Sequence, residues 1–283
     1  MATIEYMPAR LTPEEAGDLR QAVACLEGAS FAQRLTDAVG RPVGMLGRSL
    51  PQPARRVIAQ VSETALRGAL RLALRTLDLR APAKSANRAH KFAVAASGAV
   101  GGALGLAALP VELPISTTIL LRSIAEIARE EGEDLMAPEA TFACLEVFAL
   151  GGQGNGETAF ESGYFAVRAA LAKAVSDSAR FVAAEGVAAL PAPVVARLIS
   201  QIAARFGIVV SEKLVAQAAP ILGAIGGAAV NAAFADHFQT LARGHFIVRR
   251  LERRHGAGLI TFEYQRLRGE RARERTDSRR AAS

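Results

Sequence analysis

The sequence predicts an all-α fold: a single multi-helix domain centred on two packed Gly/Ala-rich helical segments, with a basic C-terminal tail. Three observations point there. Apolar residues recur at helical spacing through most of the chain, and the alternation expected of strands is nearly absent. Hydrophobic residues make up 51% of the chain, many of them alanine, whose small side chain lets helices approach closely. Finally, Gly98-Ala-Val-Gly-Gly-Ala103 returns as Gly223-Ala-Ile-Gly-Gly-Ala228. Each copy lies within an uncharged stretch of about 20 residues that ends at an acid, Glu112 in one case and Asp236 in the other.

The elements follow in order. Thr12-Pro-Glu-Glu15 is a capping box with proline at the first helical position, and it opens a helix to about Glu27. A short helix runs from Phe31 to Val39 and stops at Gly40; Arg41 to Pro53 is a connector rich in Pro and Gly. Residues 54–79 form an amphipathic helix. Its apolar side holds Val57, Val61, Ala65 and Leu72, and Arg67, Arg71 and Arg75 recur every four residues on another side. The first Gly/Ala segment, residues 85–109, ends at Pro110 and Pro114, which are expected to prevent regular helix around Glu112. Helices are then expected over 117–131, 138–150 (stopped by Gly151-Gly152), 157–174, 177–189 and 194–217. The second Gly/Ala segment continues as a long helix to Arg254. Residues 268–283 lack apolar periodicity and read as a frayed or disordered tail. The segments group as an N-terminal arm (1–50), a helical core (51–255) and the basic tail (256–283).

On helices, the small residues of the two runs fall on one side, which predicts a crossing of closely approaching backbones through Gly98, Gly101, Gly102 and Gly105 against Gly223, Gly226 and Gly227. Each such glycine costs about 1 kcal/mol against alanine, so the repetition argues that closeness matters. A nucleotide loop is disfavoured: neither the dinucleotide spacing nor a Lys-Ser/Thr pair is present.

Charge is unevenly placed. Residues 243–283 hold 12 Arg and 5 acids, whereas residues 1–242 are balanced. Within the balanced part, residues 41–91 hold 11 basic and 2 acidic side chains, and residues 126–161 hold 9 acidic and 1 basic. Basic amphipathic helices and polybasic tails suit an anionic lipid surface, with Arg67, Arg71 and Arg75 facing it. Nucleic acid is the less favoured partner, because aromatics are only 5%, Trp is absent and no recognition module accompanies the charge. Spans over 92–111 and 214–235 are an alternative, since both basic blocks then share one side of the membrane. Mean hydropathy, +0.20, is low for a multi-span protein. The start, Met1-Ala-Thr-Ile-Glu-Tyr6, lacks the pattern of a secretion signal. Cys25 and Cys144 lack metal spacing and read as buried reduced thiols of a cytoplasmic protein.

Glu112 is the residue the sequence singles out. An acid between Val111 and Leu113 is either paired, hydrated or neutral, so it is either a ligand, metal or proton site or half of an ion pair with a base such as Arg122 or Arg205. Asp236 and His237 join it in a metal-dependent or acid-base enzyme reading if the two segments cross. His237 and His245, eight residues apart, do not have the spacing of a zinc helix. No cofactor is assigned.

The run Ala95 to Thr118, its extension Leu121 to Leu135, Cys144-Leu-Glu-Val-Phe-Ala-Leu-Gly151, Ala204-Arg-Phe-Gly-Ile-Val-Val-Ser211 and Asp236-His-Phe-Gln239 together resemble the EcsC family, over about residues 50–255. That family is named for a protein encoded beside ABC-transporter subunits, and no catalytic residues carry over from it. The resemblance implies a membrane-linked accessory role. The expected function is therefore a non-enzymatic, cytoplasmic-side, membrane-associated protein acting through anionic lipid or a membrane-protein partner.

Overall fold

A computed structural model describes residues 11–39, 50–76, 108–152, 163–217 and 223–281. They form nine α-helices and a short 3-10 turn, with no strand among the described residues: α1 (Pro13–Leu26), α2 (Phe31–Val39), α3 (Gln52–Thr76), α4 (Leu109–Glu130), α5 (Pro138–Leu150), α6 (Tyr164–Glu185), α7 (Pro193–Gln217), α8 (Gly223–His255) and α9 (Ala257–Ala281). The fold is all-α. Gly98, Gly101, Gly102 and Gly105 lie outside the described residues, and so does the crossing they were expected to make. Of the second run, Gly223 opens α8 and Gly227 is buried.

The chain divides into two compact units, residues 29–242 and residues 1–28 with 243–283. This differs from the three segments read from the sequence, because α1 pairs with the C-terminal helices.

In the larger unit the central element is α5. Every residue from Ala140 to Leu150 is buried, as expected of a helix that is apolar all round. It packs on α3, α4, α6 and α7. Phe148, Phe206, Phe234 and Phe238 meet with ring centroids 5.0–6.1 Å apart, and Phe31 of α2 joins through Phe234 at 5.7 Å. The two glycines after α5 are required by close approach. A Cβ on Gly152 would overlap the Arg205 carbonyl of α7, and one on Gly151 would press into the Phe238 ring. Gly152→Ala is therefore expected to cost about 3 kcal/mol by forcing backbone apart. Urea unfolding checks this; a midpoint unchanged from the parent would refute the contact.

Several sequence expectations are corrected. The buried side of α3 is Ile58, Ser62, Ala65, Leu66, Ala69, Leu70 and Ala73, whereas Val57, Val61 and Leu72 are half-buried. The stripe is rotated because α3 packs against both α4 and α7. The two helices expected over 157–174 and 177–189 are instead continuous through Asp177 as α6, where Lys173 (3.0 Å) and Arg180 hold the carboxylate.

In the smaller unit the capping box of α1 is present: Thr12 accepts from the Glu15 amide, and Glu15 accepts from the Thr12 amide. Glu15 also meets His255 (2.8 Å), which, with the Thr12 backbone, holds its carboxyl down to about 2. Asp18 pairs with Arg250 at 2.6 Å, and Glu27 receives the Tyr264 hydroxyl at 3.0 Å. Gly256, at φ +85°, separates α8 from α9 where a side chain would be strained. The segment expected to be a frayed or disordered tail is helix to Ala281. Ala, Arg and Glu are strong helix formers, and Arg266 bridges Glu263 and Glu270 one turn either way.

Candidate functional site

Glu112 does not sit in a proline-broken turn. It lies in the first turn of α4, which begins at Leu109 and carries Pro110 at its second position and Pro114 inside. Pro110 removes no hydrogen bond, because the first amides of a helix have no intrahelical acceptor. The Glu112 amide bonds the Ala108 carbonyl at 2.9 Å, so the helix is established before Pro114 is reached.

The carboxylate is 6% exposed and is met by Lys213 of α7, itself 1% exposed, with Nζ 2.6 Å from Oε1. Asn231 of α8 donates Nδ2 to the same oxygen at 3.0 Å. A carboxylate only accepts, so Asn231 must present its amide nitrogen to it, and this turns Oδ1 toward Gln217 Nε2, 3.3 Å away. The Phe234 ring lies 4.8 Å from Lys213 Nζ and adds a cation–π contact. Two helix ends supply the charges in a favourable sense: the acid is in the first turn of α4, and the base is near the C-terminus of α7. Burial pushes the Lys213 ammonium below its ordinary pKa, and Glu112 opposes that shift. Nearby along α8, Gln239 donates to Ser123 of α4 at 2.7 Å.

Of the two expectations for Glu112, the geometry matches the ion pair, with Lys213 in place of Arg122 or Arg205. Asp236 is directed elsewhere: it is half-exposed and reaches Arg34 of α2 at 3.5 Å. His237 is 4% exposed and meets Phe31 at a tilt and Phe238 edge-on, each with ring centroids 5.3 Å apart. Burial, with a smaller push from Arg34, takes its pKa down to about 3, against the weaker pull of the Gly151 backbone and Asp236. A ring held neutral at that level is a poor proton acceptor near neutral pH. The grouping of Glu112, Asp236 and His237 as metal ligands is corrected: among the described residues no group of three or more His, Cys, Asp and Glu side chains is placed to hold a metal ion.

The expected basic row on α3 is partly as read. Arg71 is exposed, Arg67 is half-exposed and bound to Glu63 at 2.6 Å, and Arg75 is in the helix with its side chain outside the description. Gln60, Glu63, Thr64, Arg67, Gly68 and Arg71 line an open depression of about 640 Å³. Arg56, exposed, extends the same side toward the helix start.

One helix among the described residues, α7, is long and apolar enough to cross a membrane by length and composition, with a mean hydropathy of 1.5 over its best window. It is not one of the two expected spans. Most of 92–111 lies outside the described residues, and 214–235 takes in the end of α7 and the start of α8. Val195, Leu198, Ile199, Ile202, Phe206 and Val209 of α7 are buried within the larger unit.

Lys213 is the residue the sequence reading missed. Phe206, Val209, Val210, Lys213 and Gln217 share one side of α7 at three- and four-residue spacing. A lysine on the apolar side of a helix was the available signal, and it implied a buried acid. No curated protein and no solved structure matches the chain. A family model does match, that of the EcsC protein family, over residues 24–251, from the end of α1 to the last turns of α8, with α9 beyond the match. The chain belongs to the EcsC protein family.

Proposed function

We propose that this chain is a non-enzymatic protein that attaches to the anionic, cytoplasmic face of a membrane and acts there through lipid or a membrane-protein partner, in keeping with the transporter-linked role that the family resemblance implies. The observation that carries the reading is the outward side of α3. Its inner side is committed to α4 and α7, while Arg56, Arg67 and Arg71 stand along the other side beside an open depression. Glu63 is the one acid in the helix, and it fixes Arg67 in place. The chemistry elsewhere supports a binding role over a catalytic one: Glu112 and Lys213 are spent on each other, and His237 is held neutral.

Co-sedimentation of the full chain with phosphatidylcholine vesicles, with and without phosphatidylserine, tests this. Binding is expected only with the anionic lipid and weakens with salt. R67A/R71A is expected to lose about tenfold or more, at about 1 kcal/mol per arginine near the surface. Equal behaviour with both vesicle types, or an unaffected double variant, would count against the α3 reading.

A further inference from the structure

The basic tail, expected to be frayed or partly disordered, is a helix with two different sides. Ile260, Tyr264 and Leu267 of α9 are buried in the smaller unit. No described residue beyond Leu267 is buried, so three further turns of helix stand in solvent. On the side opposite the buried residues, at helical spacing, lie Phe262, Arg266, Arg273 and Arg280, with Gly269 and Thr276 between them. The acids Glu263, Glu270, Glu274 and Asp277 all fall to one flank and leave that side positive. Phe262 is 66% exposed in a chain poor in aromatics. The three arginines are seven residues apart, about 10 Å along the helix axis.

We infer that this outward side of α9 is a second contact with anionic phospholipid, in which Phe262 enters the headgroup region and the arginines meet lipid phosphates. The arrangement is that of an interfacial helix: an exposed aromatic group on a side where arginines recur, with Arg266 held by Glu263 and Glu270 at its acidic flank and Arg273 and Arg280 exposed further along. Nucleic-acid phosphates also satisfy the arginines, but duplex DNA offers Phe262 no apolar interior, and a single aromatic on this side is not the row of stacking platforms that single strands use. The inference takes the class of ligand from the membrane reading above but rests on a different helix in the other unit, so each stands or fails separately.

The chain has no tryptophan, so F262W in the full-length protein places a single indole at the point in question. With phosphatidylserine-containing vesicles its emission is expected to shift to the blue and to be quenched by lipids brominated in the acyl chain. Neither change is expected with phosphatidylcholine alone. R273E/R280E on the same background is expected to weaken partitioning about tenfold or more. Co-sedimentation without any blue shift or quenching overturns the inference, and so does an equal emission change on adding duplex DNA. If R67A/R71A leaves binding intact while the indole is still quenched, α9 is the contact and the α3 reading fails; salt-sensitive binding that R273E/R280E leaves intact, with an unquenched indole, means the reverse.

Discussion

Lys213→Met is expected to lower the stability of the larger unit by about 3–5 kcal/mol, the cost of leaving one member of a buried ion pair without its partner. Among the described residues the Glu112 carboxylate then keeps the Asn231 amide, and it stays buried at 6% exposure. The loss comes from stranding a charge. It is therefore expected to shrink to within about 2 kcal/mol of the parent in E112Q/K213M, where a neutral amide still accepts from Asn231. Glu112→Gln alone leaves the ammonium buried beside a neutral group, and it is expected to be costlier than the double change. A double-mutant cycle by urea unfolding gives the coupling directly. Hydrogen exchange of α4 and α7 peptides locates it in the larger unit. Additive effects of the two changes would mean that the pair is not formed in solution.

Local signals carried much of the fold. Thr12-Pro-Glu-Glu15 specified both the start of α1 and its reciprocal cap, and Pro138 with Gly151-Gly152 bounded α5 to the residue. These are properties of adjacent residues, whose chemistry decides the backbone without reference to the rest of the chain. The site was legible only by half. Glu112 stood out as an acid in an apolar string, but its partner lies 101 residues away, and no local pattern connects the two. Reading Pro110 and Pro114 as breakers failed, at Pro110 for a positional reason. Pro110 falls among the first amides of the helix, which have no intrahelical acceptor, whereas Pro114, the sixth residue of α4, gives up a bond to the Pro110 carbonyl and the helix runs on past it. The rotated side of α3 has a similar origin: a helix held between two others buries a wider arc than its strongest apolar stripe marks. For α9 the lack of apolar periodicity over 268–283 suggested fraying or disorder, and the helix that runs there follows from Arg266, which bonds Glu263 and Glu270 and carries the helix into that segment.

Acidification is expected to destabilise the larger unit well before its carboxylates titrate, and His237 is the cause. In the folded chain its ring takes a proton only near pH 3, whereas in the unfolded chain it does so near the ordinary value of 6.5. Below about pH 6.5 the unfolded state therefore binds a proton that the folded state refuses, and stability falls as pH falls. The contribution is complete above 6.5. It is lost progressively down to about 3, for a total on the order of 4–5 kcal/mol. Between pH 6.5 and 5 most carboxylates stay ionised and histidines take up their protons, so comparing the parent with a variant that lacks this ring isolates its share. His237→Gln is expected to flatten the stability slope in that window by about one proton, or about 1.4 kcal/mol per pH unit. An unchanged slope would mean that the ring is solvated and free to charge. In that case its packing between Phe31 and Phe238 is looser than the ring separations imply, and an acid-base role for His237 returns to consideration. A flattened slope instead makes this histidine part of the aromatic core, whose neutrality is a condition of folding.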